Sequence, residues 1–246
     1  MNEQQDRVDA AVSEVLDAGR PVEVCRRGEG SPTLLLVHGA GDDHDTHAAV
    51  ARRVADAGFT TVTLSLPGRR GSTGPACTTV AEAATVVAEV VRRLDGPVVL
   101  YGHSLGGGIA LEVALGQPDP LMGLVLVATG ARLRVHPEIL AQVRAAAAAE
   151  TSGVSDGTTP ATTTRDDWLA ADGFDRLHDL AGCPVPTLVI GGADDALTPP
   201  RNGAWLEAHL PDARQVLVPG AGHFLPIEDP DTTAAAIVAF LGEVAP

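Results

Sequence analysis

Short apolar runs alternate with stretches of helical period along most of the chain, and this alternation predicts a fold before any motif is read. Runs of mostly β-branched and aliphatic residues at 33–37, 60–66, 98–101, 121–128, 185–192 and 215–218 predict buried strands. Between them apolar residues recur three and four apart. At 78–94, Val80, Ala83, Ala84, Val87, Val90 and Val91 form one stripe. The segments 44–57, 105–115 and 232–242 are likewise predicted as helices. Repeated strand-then-helix order implies an α/β fold, a mostly parallel twisted sheet flanked by helices on both faces. Two regions break the pattern. At 7–16, Val8, Ala11, Val12, Val15 and Leu16 stand at helical spacing and predict an amphipathic helix ending before Pro21, with only 22–25 reading as an early strand. At 130–182 an Ala-rich helix (137–150), a Ser/Thr/Gly loop (151–164) and a second helical pattern (within 166–180) interrupt the alternation after the sixth core strand. The chain therefore divides into an N-terminal helical segment (1–20), an α/β core (21–129 and 183–246) and an insertion (130–182).

Composition narrows the partners. The chain has 246 residues, 45% of them hydrophobic, enough for one domain with a sizeable core. Its 17 basic and 32 acidic residues give a net charge of −15, which repels phosphate backbones and anionic lipid, so neither nucleic acid nor membrane is an expected partner. The opening residues carry no basic and apolar leader pattern, and no apolar run reaches the roughly 18 residues of a spanning helix; a soluble, cytoplasmic protein is expected. Cys25, Cys77 and Cys183 are widely spaced and form no C-x-x-C pair, which fits buried apolar roles.

The candidate chemistry centres on Val98-Val99-Leu100-Tyr101-Gly102-His103-Ser104-Leu105-Gly106. A strand here runs directly into a helix, so Ser104 sits on a tight turn with its hydroxyl exposed, and close backbone approach requires small residues at Gly102 and Gly106. Two phosphate-binding alternatives fit poorly. A Walker A loop needs a lysine, and the sequence has none; a dinucleotide fingerprint at Gly39 would need glycine at His44 and an acid at Ser65.

With this G-x-S-x-G turn the chain resembles the α/β-hydrolase family, from about Val22 to the C-terminus. The resemblance implies an α/β-hydrolase fold with residues 130–182 as a small helical cap, and a Ser-Asp-His triad. Gly192 to Pro199 matches the family's acid loop with Asp195 as the acid, Asp194 being the alternative; Pro219-Gly220-Ala221-Gly222-His223 matches its histidine loop, with His223 as base. The resemblance also makes the backbone N–H groups of Ala40 and Leu105 the oxyanion hole. His103, Trp168 and Phe224 are assigned to substrate binding, with Leu169 and Phe174 as further pocket candidates and His47 as a residue of the substrate approach. The cap's modest length and few aromatics suggest a small acyl group, and the loop 151–164 a mobile entrance.

Two local features carry a choice of readings. Asp42, Asp43, His44, Asp45 and His47 invite a metal, but the acidic first turn of a helix explains them without one. Arg69 and Arg70 replace the residues relatives carry after Pro67-Gly68; a solvated turn is the expectation, recruitment of a carboxylate-bearing substrate the alternative. No metal and no cofactor is implied. The expected function is a serine hydrolase acting on a small-molecule ester, thioester or lactone, as monomer or homodimer. Perhydrolase, carbon-carbon bond hydrolase and hydroxynitrile lyase chemistry on the same triad, and a slow-turnover ligand receptor, are the alternatives.

Overall fold

The computed structural model describes residues 11–69, 71–117, 119–150 and 159–245. Eight strands form one sheet: β1 (Val12–Asp17), β2 (Pro21–Arg27), β3 (Thr33–Val37), β4 (Thr60–Leu64), β5 (Val98–His103), β6 (Leu121–Val127), β7 (Thr187–Gly192) and β8 (Ala213–Val218). Their spatial order is β1-β2-β4-β3-β5-β6-β7-β8. The pairs β1/β2 and β2/β4 are antiparallel and the remaining pairs parallel.

Side-chain alternation along the buried strands builds two cores. Leu35, Val37, Leu100 and Leu124 face helices α2 (Val80–Arg93) and α3 (Leu105–Leu115). On the opposite face Leu34, Leu36, Val99 and Val125 meet α1 (Ala48–Asp56), through Val50 and Val54, and the C-terminal helix, through Ile237 and Phe240. Because both faces are covered, β3, β4 and β5 are buried along their whole length, as their continuous apolar runs require. The remaining helices are α4 (Pro137–Ala149), α5 (Ala161–Asp172), α6 (Pro200–His209), α7 (Leu225–Glu228) and α8 (Pro230–Val244), the C-terminal one.

The N-terminal segment departs from its expected helix. Residues 12–17 are a strand paired with β2 in a hairpin, from Val12 opposite Arg26 to Asp17 opposite Pro21. Val12 and Val15 are exposed, so the apolar stripe that suggested a helix has no core to face, and backbone pairing with β2 decides the conformation. Residues 7–10 of that predicted helix lie outside the described residues. In the insertion, α5 starts at Ala161, five residues before the predicted pattern, and 151–158 of the predicted loop also lie outside the described residues. Helix α6 has no predicted counterpart: only Gly203 and Leu206 of its ten residues are buried, too few for a readable stripe. Among the described residues no helix is long and apolar enough to cross a membrane.

Candidate active site

The site lies where the parallel strands end. Strand β5 delivers Ser104 onto the turn before α3, and Ser104 takes φ 53° and ψ −116°, a conformation that costs a non-glycine residue about 1–3 kcal/mol. Neighbouring backbones press against this turn. A Cβ at Gly102 would come within 2.1 Å of the Gly106 carbonyl oxygen, and one at Gly106 within 2.4 Å of that of Val37. Only glycine allows β3, β5 and α3 to approach so closely.

Strands β7 and β8 supply the partners. The loop after β7 carries Asp195, and the loop after β8 carries His223. His223 Nδ1 lies 2.9 Å from Asp195 Oδ2, and its Nε2 lies 3.1 Å from Ser104 Oγ. Asp195 also accepts the backbone N–H of Leu197 and of Thr198, each at 2.8 Å, and the Thr198 hydroxyl at 2.7 Å. Burial pushes the Asp195 carboxyl up, but the bonds from His223 and Thr198 outweigh it and leave the pKa below its ordinary value. Asp195 is therefore an anion at neutral pH. It fixes the Nδ1–H tautomer of His223, so Nε2 faces the Ser104 hydroxyl as an acceptor. Asp194 is exposed and makes no such bond.

Two free backbone donors sit beside Ser104 Oγ. The N–H of Leu105 opens helix α3 and that of Ala40 follows Gly39, where a Cβ would stand 3.5 Å from Ser104 Cβ. Neither N–H donates to a protein acceptor among the described residues. An alkoxide developing against Ser104 would meet both, and the positive end of α3.

A cavity of about 440 Å³ opens on Ser104 and His223. The insertion contributes Leu133, Val135, Ile139 and Trp168 to its wall, and α6 contributes Trp205. The volume exceeds what a short acyl group needs and falls in the range of pockets that enclose small molecules. Of the residues assigned to substrate binding, Trp168 borders this cavity and His103 and Phe224 do not. His103 is buried behind Ser104, where its Nε2–H donates to the His223 carbonyl oxygen at 2.9 Å. Burial, reinforced by His223, lowers its pKa to about 4. The ring thus braces the His223 loop as a neutral donor. Phe224 is nearly half exposed and stands edge-on to His223, 5.3 Å between ring centroids, outside the cavity. Leu169 and Phe174 border a separate surface depression next to Glu112, and Phe174 packs over Gly108.

His47 is also interior, its ring 5.2 Å from Tyr101 and 5.3 Å from His103, so it does not line the substrate approach. His44 Nδ1 engages Ser65 Oγ at 2.9 Å, and among the described residues no group of His, Cys, Asp and Glu is arranged to hold a metal ion. All three cysteines are free and buried, with the Cys77 thiol pushed up to about 11 by burial.

The expectation of a solvated arginine turn fails at Arg69. Its side chain is 1% exposed and ion-paired with Asp167 of α5, while its Nε donates to the Asp42 carbonyl oxygen at 2.7 Å. The second acceptor duty of Asp167 Oδ2 is the Gly41 N–H, at 2.9 Å. One buried carboxylate of the insertion therefore holds the loop that carries Ala40. Sequence reasoning passed over this acid, and over the cavity-lining Arg132, Arg134, Arg201 and Trp205. Their common signal is position, since loops after the carboxyl ends of parallel strands are where α/β folds bind ligands.

Comparison with known proteins bears on the family. A dihydrolipoyllysine-residue acetyltransferase component of the acetoin cleaving system of Cupriavidus necator is 37% identical over 112 residues, 44% of this chain and 29% of that protein. The chain thus matches under a third of that relative's length. The pimeloyl-[acyl-carrier protein] methyl ester esterase of Yersinia enterocolitica is 25% identical over 247 residues, covering 87% of this chain and 94% of the esterase. A malate-bound thermophilic esterase from Thermogutta terrifontis superposes with a TM-score of 0.79 at 25% identity, covering 96% of this chain and all of the other. Residues 34–236 match the family described as the Alpha/beta hydrolase family. With that span reaching from β3 into the C-terminal helix and the strand order and the Ser104 turn, or elbow, between β5 and α3 in place, the chain belongs to the alpha/beta hydrolase family.

Proposed function

We propose that this protein hydrolyses small-molecule carboxylic esters, thioesters or lactones included, through an acyl-serine intermediate. The observation that carries the reading is the continuous Ser104–His223–Asp195 hydrogen-bond chain at the floor of an apolar cavity. Ser104 Oγ attacks the carbonyl carbon as His223 Nε2 takes its proton, and Asp195 stabilises the imidazolium. The oxyanion of the tetrahedral intermediate accepts from Ala40 and Leu105. As the bond to the leaving oxygen or, in a thioester, sulfur breaks, His223 returns the proton to that atom, releasing an alcohol or thiol, or in a lactone leaving a hydroxyl on the chain, with the acyl group now on Ser104. Water then attacks the acyl-serine with His223 again as base, freeing the carboxylic acid and regenerating the hydroxyl. Esterases among the relatives support the same bond class.

The test is steady-state hydrolysis of a chromogenic ester series from acetate to octanoate by the wild type, Ser104→Ala and Asp195→Asn. Sustained turnover is expected, with losses of about 10⁴-fold or more in kcat for both variants. A stoichiometric burst without turnover would instead indicate a receptor, and equal rates in wild type and Ser104→Ala would remove Ser104 as nucleophile.

A further inference from the structure

The cavity is electrically unlike the rest of the molecule. In a chain of net charge −15, three arginines, Arg132, Arg134 and Arg201, border it together with Ser104, and among the described residues no aspartate or glutamate does. Arg132 is held by Asp175, its Nε donating to Oδ2 at 2.6 Å; the same carboxylate oxygen lies 3.7 Å from Arg134 Nη2, and Arg134 Nη1 donates to the Asp172 carbonyl oxygen at 2.9 Å. Both are thereby fixed in place at the rim. Arg201 is different. It stands exposed in the first turn of the ten-residue helix α6 with no ion-pair or hydrogen-bond partner among the described residues. A cation there opposes the positive end of the helix dipole and gains nothing for the fold. Local conflicts of this kind are expected at functional sites.

We infer that the cavity recognises a carboxylate remote from the scissile bond: the substrates are esters whose acyl chain ends in a second, ionised carboxyl group, which Arg201 receives, Arg132 and Arg134 being already paired with Asp175. The inference rests on the ester-hydrolase reading of Ser104. An arginine fork matches a planar carboxylate. Apolar walls formed by Leu133, Val135 and Ile139 suit the methylene chain between the two ends. Placing the anion on the acyl side lets the contact persist through both acylation and deacylation, because the acyl group stays bound until water releases it.

The experiment compares mono(4-nitrophenyl) adipate with methyl 4-nitrophenyl adipate, in which the remote carboxylate is capped, reading nitrophenolate release. In parallel, calorimetry measures adipate binding to Ser104→Ala. For the wild type the free acid should exceed the capped diester in kcat/KM by about tenfold, an advantage that shrinks as salt is raised. Arg201→Gln should bring the ratio of the two substrates close to one, and Arg201→Lys should restore part of it. Turnover of the diester with a ratio of one or less in the wild type overturns the anion site and leaves ester hydrolysis standing. A high ratio that Arg201→Gln does not change overturns the assignment to Arg201. Failure of both esters, with adipate binding that depends on Arg201, upholds the anion site and rejects ester hydrolysis; failure of both esters without binding overturns both.

Discussion

Substituting the buried Arg69–Asp167 pair separates stability from catalysis. The two side chains are 1% and 5% exposed, and Arg69 reaches the carbonyl oxygens of Asp42, Leu66 and Pro67 as well as Asp167. Burial raises the Asp167 carboxyl to about 6 against the pull of Arg69, and burial lowers the Arg69 guanidinium against the pull of Asp167. Both shifts say that desolvation outweighs the mutual attraction. Removing one member should then cost about 3–5 kcal/mol, because it strands the other, whereas replacing both by apolar residues of similar volume should be neutral or stabilising. Asp167→Leu belongs at the upper end, since it also leaves the Gly41 N–H without an acceptor. At about 2–4 °C per kcal/mol for a chain of this size, its melting temperature should fall by roughly 10–20 °C. Arg69→Met should cost about 3 kcal/mol, because Asp167 can take up a proton in response.

The pH dependence follows from the sign of the Asp167 shift. A carboxyl whose folded pKa is raised contributes stability below its unfolded value near 4, and loses it as pH rises through the folded value. Without Arg69 that folded value moves above 6, so the deficit of Arg69→Met should widen as pH increases beyond 6. The assay is a double-mutant cycle of denaturant melts and initial ester-hydrolysis rates on wild type, Arg69→Met, Asp167→Leu and the double variant. The double variant should melt near or above the wild type yet remain slow, since nothing then fixes Gly41 and the adjoining Ala40 donor. Costs of the single substitutions that simply add, or that stay below about 1 kcal/mol, would refute the reasoning.

Two further outcomes are expected. Gly106→Ala places a Cβ within 2.5 Å of two carbonyl oxygens, those of Val37 and His38, and should cost about 3 kcal/mol in thermal or denaturant melts along with most of the activity; a loss under 1 kcal/mol would show that the elbow can yield. His38, His47 and His103 are all buried and held neutral chiefly by desolvation, His103 down to about 4. A histidine with a depressed folded pKa contributes stability above its unfolded value near 6.5 and loses it as pH falls toward the folded one, so each should remove about 1.4 kcal/mol per pH unit below 6.5. Urea midpoints between pH 7.5 and 5 should fall steeply, and calorimetry should detect proton uptake on unfolding; a flat profile would contradict the neutral assignment.

Features written in local sequence were readable, and those created by distant packing were not. The strand at 33–37 and helix 105–115 match the structure residue for residue, because each is a short apolar run, buried on all sides and bounded by glycine or a turn. Ser104, Asp195 and His223 were legible because each occupies a short motif at the end of its own strand. By contrast, residues 12–16 carry a helical spacing that only the neighbouring β2 overrides. Arg69 next to Arg70 looks like solvent-exposed charge until Asp167, nearly a hundred residues later, folds over it. His103 adjoins the nucleophile in sequence, yet strand geometry points it behind Ser104, the reverse of what adjacency suggests.

The positive φ at Ser104 has a consequence on an evolutionary scale. Glycine is the residue that accepts such a backbone without strain, so Ser104→Gly would remove the proposed nucleophile and relieve that strain in one step, with the arginine-bordered cavity left intact. Loss of catalysis is thus thermodynamically downhill for this scaffold, while its recovery is uphill. A chain with glycine at 104 would keep the cavity and its arginines but lack the hydroxyl, a binder in place of a hydrolase.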